Sequence, residues 1–445
     1  MKMLRNANQE IMAVLTEQSV FFNTNYRLLT NCLVEDMDGG KILFNGLTRA
    51  CFWLSNEEYR DMFDKDKADY FSILYKYYFL VPEDYPEMEI IDLVREQFKT
   101  KIDDLYLNHP NSYTILTTTK CNARCFYCYE LKSKKTHMTE DTAKKIAEYI
   151  CNHSYINMPV SLSWFGGEPL FNMKVIDIIT RELRDKGYNF YSRFTSNGYL
   201  FDEETVVKAK NSWNTQSVQI TIDGTEEVYN KAKNYIYKDG SPYKKVLHNI
   251  ETLLNANIRV GIRMNVDAYN CDDLTKLLRE ISDRFGRNPN LTVYCYPIFE
   301  DDDYQRTEED RKLVFEKLLD LEELIYLLGY SLHNPSPVIA AKQCMVDDGR
   351  SITISPKGEL GLCEHFIDSD FWGNINSQEK DFEVFESWLK YEEPLDICSD
   401  CPLYGSCIRP SKCIEMRKCD KHYKRWKILK EKIALRNLYN TQKLK

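Results

Sequence analysis

The stretch YTILTTTKCNARCFYCYE, residues 113–130, joins an apolar, β-branched strand to a loop that carries three cysteines. The thiols belong to Cys121, Cys125 and Cys128, and three thiolates are one short of a closed tetrahedral metal site. A partial zinc site completed by a distant residue is one interpretation, although zinc ligands usually come in closely spaced pairs. Iron–sulfur ligation fits better, because three thiolates on a cluster leave one iron exposed to a substrate or cofactor. The stretch therefore predicts a strand followed by an iron–sulfur loop.

Strand and helix patterns alternate six times over residues 112–330. Apolar strands such as VSLSWF (160–165) alternate with amphipathic helices such as MTEDTAKKIAEYI (138–150). Six such repeats indicate a parallel sheet with helical crossovers. Because an eight-fold barrel typically needs about 250 residues, we predict an α/β fold with a partial (β/α)6 barrel. An open doubly wound sheet is the alternative, and in both folds ligands bind at the C-terminal ends of the strands.

The chain of 445 residues is too long for one compact core, and four segments are predicted. Residues 1–105 are predicted to form a small α+β module and residues 112–330 the barrel. Residues 340–420 are predicted to form a cysteine-rich domain, and residues 421–445 a basic C-terminal helix. We interpret this helix as solvated or docked, with nucleic-acid contact as the alternative.

Composition and charge exclude several classes of protein. A net charge of −9 disfavours a general nucleic-acid binder. The N-terminus MKMLRNANQE has no apolar signal region, and the apolar runs are too short to span a membrane. We therefore expect a cytoplasmic protein, in which clustered thiols bind metal rather than form disulfides. Five scattered cysteines are expected to be buried, inert thiols: Cys32, Cys51, Cys151, Cys271 and Cys295.

The Cys loop resembles that of the radical SAM superfamily, whose signature C-x₃-C-x-aromatic-C is matched by Cys121, Cys125, Tyr127 and Cys128. The resemblance implies that the three cysteines hold a [4Fe–4S] cluster whose free iron binds S-adenosylmethionine. WFGGEPL (164–170) resembles the Gly-Gly-Glu motif of the family, TSNG (195–198) its ribose-contacting stretch and TIDG (221–224) the end of its fourth strand. The implied cofactor-binding residues are Tyr127, Gly166, Gly167, Glu168, Ser196, Asn197, Asp223, Lys233, Arg263 and Asn265.

Lys233 departs from the pattern of the family. Many relatives have Arg ten residues after the aspartate of the fourth strand, where it meets the carboxylate of S-adenosylmethionine. A lysine supplies the positive charge without the bidentate fork of arginine.

The C-terminal cysteines resemble the SPASM extension of this superfamily, which holds two auxiliary [4Fe–4S] clusters. The implied ligand sets are Cys398, Cys401, Cys407 and Cys419 for one cluster, and Cys344, Cys363 and Cys413 for the nearer one. The spacing from Cys407 to Cys413 is wider than usual, and no further cysteine just precedes Cys344. The nearer cluster is therefore expected to have an open position. A zinc ribbon over residues 398–419 is the alternative to the auxiliary clusters.

SPASM relatives mostly modify peptides or proteins, so the resemblance implies a maturase of a ribosomally synthesised precursor peptide. Such an enzyme installs a thioether or carbon–carbon crosslink through a 5′-deoxyadenosyl radical. Residues 1–105 resemble a leader-peptide recognition domain in pattern, so a precursor peptide with a leader segment is the expected partner. The expected reductant is a flavodoxin or ferredoxin.

Two alternatives to this function remain open. Anaerobic sulfatase-maturating, formylglycine-generating enzymes have a similar cysteine layout, but they carry Asp after the cysteine that matches Cys363. This chain has Glu364 there, which is the candidate catalytic residue. A non-catalytic iron–sulfur or zinc protein is the second alternative, and it leaves the Gly-Gly-Glu and ribose motifs without a role.

Overall fold

The computed structural model describes residues 1–18, 25–64, 68–106, 110–300, 304–331, 335, 345–346, 350–365, 369–390, 393–407, 412–413 and 419–443. The chain divides into two compact units. The first contains residues 1–103, 332–344 and 391–445, and the second contains residues 104–331 and 345–390. The four predicted domains stay predictions, and the compact units place residues 391–445 with the first 103 residues.

The N-terminal part of the first unit mixes strands and helices. Its strands are β1 (Lys2–Arg5), β2 (Tyr26–Leu28), β3 (Cys32–Met37), β4 (Gly40–Asn45), β5 (Cys51–Ser55) and β6 (Leu80–Pro82). Its helices are α1 (Gln9–Gln18), α2 (Asn56–Asp61), α3 (Ala68–Lys76) and α4 (Glu87–Tyr106). A four-stranded sheet has the order β1-β5-β4-β3, and β2 pairs with β6. Strand β3 was not predicted, because Glu35 and Asp36 interrupt its apolar pattern.

Parallel strands joined by helices make up the second unit. The strands are β7 (Ser112–Thr118), β8 (Val160–Gly166), β9 (Phe190–Ser196), β10 (Thr215–Thr221), β11 (Arg259–Val266) and β12 (Leu291–Pro297). The helices are α5 (Glu140–His153), α6 (Met173–Asp185), α7 (Glu203–Asn211), α8 (Glu226–Lys233), α9 (Pro242–Asn255), α10 (Cys271–Phe285) and α11 (Glu308–Leu328). From β7 to β12, neighbours in the sheet are consecutive in the chain and parallel. A doubly wound sheet reverses its strand order at a switch point, so the predicted partial barrel is confirmed.

The sheet continues beyond β7 through a hairpin. Strand β13 (Ser351–Ile354) runs parallel to β7, and β14 (Glu359–Gly361) pairs antiparallel with β13. Gly358, with φ of 82°, closes the turn between them. Strand β15 (Gly373–Asn374) and helix α12 (Phe382–Trp388) follow.

Local sequence signals determine where the helices of the barrel begin. Thr139 precedes α5 and accepts a hydrogen bond from the Thr142 N–H at 3.1 Å. Thr307 caps α11 in the same way through the Asp310 N–H at 3.1 Å. Helix α8 was not predicted, because a segment of eight residues is too short to show a recognisable helical periodicity of apolar residues.

The predicted C-terminal helix is α13 (Lys421–Lys443), and it packs within the first unit. Its Leu435 shares an apolar cluster with Leu33 of β3 and Phe44 of β4, on one face of the four-stranded sheet. The other face packs against α2 and α3 through a cluster that includes Phe52 and Leu74. Among the described residues, no helix is both long enough and apolar enough to cross a membrane.

Candidate functional site

Four of the predicted motifs follow four neighbouring parallel strands. The Cys loop (121–128) follows β7, and the glycine motif (166–168) lies at the end of β8. Ser196 and Asn197 lie at the end of β9, and Asp223 follows β10. The carboxyl ends of parallel strands lie at one edge of the sheet, where ligands bind in such folds. The fold therefore brings these motifs to a common edge.

The glycine pair lets the end of β8 approach the chain that leads into the Cys loop. Gly166 has φ of 111°, and a Cβ at this position would lie 2.1 Å from the carbonyl oxygen of Thr118. A Cβ on Gly167 would lie 2.5 Å from the carbonyl oxygen of Lys120. Backbone hydrogen bonds use this space instead, from the Gly167 N–H to Thr118 at 3.0 Å and from the Glu168 N–H to Lys120 at 3.1 Å. A side chain at either glycine would push the motif away from the loop.

Glu168 is fully buried, and its carboxylate joins the ends of β8 and β9. It accepts hydrogen bonds from the Ser196 hydroxyl at 2.9 Å, the Asn197 N–H at 2.9 Å and the Leu170 N–H at 3.2 Å. Burial raises the pKa of Glu168 to about 7, against the effect of these donors. A carboxylate offers about four lone-pair sites, one more than these three donors use.

An amide pair connects the end of β9 to the Cys loop. Asn197 Nδ2 donates to Asn122 Oδ1 at 2.6 Å, and the same nitrogen lies 3.8 Å from Cys121 Sγ. Asn122 is fully buried and was not singled out from the sequence. In the sequence, its position next to Cys121 is the signal for a role at this site. In the fold, the amide is buried and must find a hydrogen-bond partner.

The three thiols of the Cys loop are partly buried. The Ala123 N–H lies 3.3 Å from Cys121 Sγ, which suits a thiolate acceptor. Burial, then the charge of Glu168, then the neighbouring thiols raise the pKa of Cys121 to about 12. Burial is also the main cause that raises the pKa of Cys128 to about 11, with a contribution from Cys125.

The donor set of this loop fits a [4Fe–4S] cluster. Within the described ranges, no group of three Cys, His, Asp or Glu side chains is placed to hold one metal ion. An iron–sulfur cluster takes each thiolate on a different iron, so Cys121, Cys125 and Cys128 need not converge on one point.

Lys233, at the end of α8, lies in a buried triangle with Asp223 and Tyr127. Its Nζ is 2.9 Å from the Asp223 carboxylate and 2.8 Å from the Tyr127 hydroxyl, which itself donates to Asp223. Burial lowers the pKa of Lys233, but the Asp223 carboxylate and other neighbours more than offset this effect and raise it above its usual value. The ammonium group is therefore charged and already paired, and a ligand carboxylate at this site would share it with Asp223.

Two predicted residues of β11 have different surroundings. The Asn265 N–H donates to Asp223 Oδ1 at 3.3 Å, which joins Asn265 to the triangle. Arg263 donates Nε to Asn265 Oδ1 at 2.9 Å, and its guanidinium lies 4.9 Å from the centre of the Tyr296 ring on β12. Asn270 was not predicted, although its Nδ2 donates at 2.8 Å to the carbonyl oxygens of both Asp223 and Asn265.

Glu364 and His365 follow β14 and share their surroundings with Tyr129. Glu364 Oε2 and the Tyr129 hydroxyl are shielded from solvent and have no hydrogen-bond partner among the described residues. Burial raises the pKa of Glu364, against the opposing charges of Arg193 and Arg263. The His365 ring lies 4.4 Å from that of Tyr129, and burial lowers its pKa to about 4. A carboxyl group with a raised pKa suits proton transfer, and the catalytic role of Glu364 stays a prediction.

The cysteines predicted to hold one auxiliary cluster include three that lie in the first compact unit. Cys398 is buried, and Cys401 and Cys407 are partly buried. Burial is the main cause that raises the pKa of Cys401 and Cys407, and the nearby Cys398 adds to it. The assignment of these three cysteines to one cluster stays a prediction.

The other predicted auxiliary ligands are less completely described. Cys413 and Cys419 are partly buried residues of the first unit, and Cys363 is a partly buried residue of the second. Cys344 lies outside the described residues. Cys295 of β12, which is expected to be an inert thiol, is buried, and its Sγ lies 3.4 Å from Glu322 Oε1 on α11.

The chain is similar to proteins of one superfamily. Residues 115–281 match the family model described as Radical SAM superfamily. The chain is 22% identical over 356 residues to the radical SAM cyclopropyl synthase TigE of Paramaledivibacter caminithermalis, covering 71% of each protein. Its fold is similar to that of anSMEcpe with bound AdoMet and Cp18Cys peptide (TM-score 0.55, 16% identity, 75% of this chain and 100% of that one). It is also similar to SuiB of Streptococcus suis bound to precursor peptide SuiA (TM-score 0.50, 12% identity, 86% and 94%).

Proposed function

Because residues 115–281 belong to the radical SAM superfamily, we propose that the protein modifies a ribosomally synthesised precursor peptide. The modification is a thioether or carbon–carbon crosslink. A reduced [4Fe–4S] cluster with S-adenosylmethionine bound would supply a 5′-deoxyadenosyl radical. The electrons would come from a flavodoxin or ferredoxin.

The chain's own residues bind and orient this cofactor. Cys121, Cys125 and Cys128 would hold the cluster. Glu168, which keeps one acceptor site, would accept a hydrogen bond from the methionine amino group. Lys233 would face the methionine carboxylate, and its pairing with Asp223 keeps the ammonium in place before the cofactor binds.

The contacts between the strand ends and the Cys loop are the main support for a cofactor site. The glycine motif, the Glu168 carboxylate and the Asn197–Asn122 amide pair tie the ends of β8 and β9 to the Cys loop. A metal-binding loop needs no such links, whereas a cofactor that spans the loop and two strand ends does.

A peptide substrate is supported by the relatives rather than by the site. The anSMEcpe and SuiB structures contain bound peptides. The N-terminal module of this chain offers a four-stranded sheet in which, among the described residues, β1 and β3 are edge strands. An extended leader peptide could add to such an edge, with main-chain bonds giving affinity and alternate side chains giving specificity.

The test uses the full chain, purified and reconstituted without oxygen, with S-adenosylmethionine and a chemical reductant. We expect 5′-deoxyadenosine and methionine in equal amounts, and about 12 iron atoms per chain if all three predicted clusters form. Small peptides encoded next to the gene are then added, and a crosslink appears in the mass spectrum as the loss of two hydrogen atoms. The absence of 5′-deoxyadenosine from iron-loaded protein would contradict the proposal.

The same experiment separates the alternatives. Formylglycine on a cysteine-containing peptide, without a crosslink, would favour the sulfatase-maturating enzyme, whose candidate catalytic residue here is Glu364. Zinc in place of iron would favour a non-catalytic protein with a zinc ribbon.

A further inference from the structure

A run of tight turns spaces the cysteines of residues 398–407. The N–H groups of Cys401, Tyr404 and Cys407 each donate to the carbonyl oxygen three residues earlier, at 3.0 Å in every case. Three successive turns therefore connect Cys398, Cys401, Tyr404 and Cys407.

Arg95 of helix α4 holds two carbonyl oxygens of this segment. Its Nη1 donates to Tyr404 at 2.7 Å and to Cys407 at 2.7 Å. Its guanidinium lies 4.4 Å from the centre of the Tyr404 ring, within range of a cation–π interaction. One turn earlier on α4, Asp92 accepts the Tyr404 hydroxyl at 2.6 Å.

The cysteine segment also shares its apolar core with the N-terminal module. Cys398 and Tyr404 belong to one buried apolar cluster with Leu29, Leu47 and Val94. These last three residues lie within the first 103 residues of the chain. Ten residues with several polar turns cannot bury enough surface to fold alone. The segment therefore depends on the module for its conformation.

The guanidinium of Arg95 brings a positive charge to the backbone of Cys407, since it donates to the Cys407 carbonyl oxygen at 2.7 Å. A cluster with four thiolate ligands is an anion whose negative charge grows on reduction. Nearby cations therefore favour the reduced form, and net charge and hydrogen bonds are known determinants of cluster potentials.

We propose that Arg95 of the N-terminal module is a positioning residue for the auxiliary cluster, fixing the backbone of Cys407 and raising the reduction potential by its charge. The inference rests on the part of the proposed function that makes Cys398, Cys401 and Cys407 cluster ligands. It gives the N-terminal module a second role besides leader binding. Deleting the module would then remove cluster iron as well as any peptide site.

The test begins with a parent in which Cys121, Cys125 and Cys128 are all replaced by Ala, so that only auxiliary iron remains. Arg95→Gln and Arg95→Lys are compared in this parent. The matched control is Arg60→Gln, because Arg60 is an exposed arginine of the same module whose side chain donates to the carbonyl oxygen of Asn56 in its own helix. Iron content, circular dichroism and an EPR-monitored redox titration are measured for each protein.

We expect about 8 iron atoms in the parent and in the control. Arg95→Gln should either lose about half of this iron or shift the potential of one cluster to more negative values. The expected shift corresponds to roughly a tenfold change in the reduction equilibrium, about 59 mV for one electron. Arg95→Lys keeps the charge without the planar fork, so it should restore the potential toward the parent value.

Three results would overturn the inference. Arg95→Gln with the iron content and potentials of the parent would show that the arginine does not support the cluster. If Arg95→Lys does not restore the reduction potential, then the charge of Arg95 does not raise that potential, and this part of the inference is wrong. A parent that binds zinc or no auxiliary iron would overturn both this inference and the auxiliary clusters of the proposed function.

Discussion

Gly167→Ala tests whether the close approach of β8 to the Cys loop builds the cofactor site. The added Cβ would lie 2.5 Å from the carbonyl oxygen of Lys120, 2.7 Å from its carbonyl carbon and 2.9 Å from the carbonyl oxygen of Thr119. All three atoms are backbone, so no side-chain rotation relieves the contact. Widening the closest contact from 2.5 Å to an ordinary 3.4 Å moves the two segments apart by about 0.9 Å.

The cost of this movement follows from the contacts that it disturbs. Overpacking of a well-packed site typically costs about 1–3 kcal/mol, which lowers the folding equilibrium constant by roughly 5- to 150-fold. The same movement stretches the bond from the Glu168 N–H to Lys120, now 3.1 Å, and displaces the Glu168 carboxylate. We therefore expect weaker binding of S-adenosylmethionine and little 5′-deoxyadenosine.

Gly261→Ala is the matched control, because Gly261 lies within β11 of the same sheet. Its nearest atom to an added Cβ is Thr292 Oγ1 at 3.5 Å, an ordinary contact. Replacing this strand glycine should leave stability unchanged or raise it slightly. Urea unfolding of the apoproteins gives the free energies, and calorimetry gives cofactor affinity. A Gly167→Ala protein with wild-type stability and wild-type 5′-deoxyadenosine formation would refute the reasoning.

Three further predictions concern the same site. Replacing Cys121, Cys125 and Cys128 together by Ala should abolish 5′-deoxyadenosine formation and leave auxiliary iron in place, and cleavage at the wild-type rate would rule out the assigned loop. Glu168→Gln should flatten the pH dependence of apoprotein stability. The pKa of Glu168 is about 7 in the folded protein, above its ordinary value of 4.5. The contribution of Glu168 to the free energy of unfolding therefore falls by about 3 kcal/mol as the pH rises between those two values. Urea midpoints at pH 5 and pH 7.5 check this, and equal slopes in both proteins would contradict it. Lys233→Met should cost about 3–5 kcal/mol, because it leaves a buried carboxylate unpaired, and an unchanged melting temperature would show that the pair contributes nothing.

Sequence reasoning succeeded where the signal is local. Thr139 and Thr307 mark helix starts because a hydroxyl three residues before an N–H caps it. The glycine pair predicted a close approach because glycine is the residue that permits one. The family resemblance is confirmed over residues 115–281, and the individual ligand assignments stay predictions.

Sequence reasoning failed where partners are distant in the chain. The hydrogen bond from Lys233 to Tyr127 joins residues 106 apart, and no local period encodes it. Asn270 holds Asp223 across 47 residues, and its own surroundings resemble an ordinary helix start. Such contacts depend on strand ends that meet only after the sheet has formed.

The C-terminal helix shows that a charge pattern alone leaves several interpretations open when its partner is unknown. A run of lysines and arginines allowed a solvated, docked or nucleic-acid-binding helix. In the fold, Arg436 and Lys432 of α13 pair with Glu35 of β3 at 2.6 Å and 3.1 Å. Glu35 is only 6% exposed, and a buried carboxylate is tolerated only when cations and hydrogen bonds compensate it. Part of the positive charge of α13 therefore compensates Glu35 within the first compact unit. Glu35 is also one of the two acidic residues that interrupt the apolar pattern of β3.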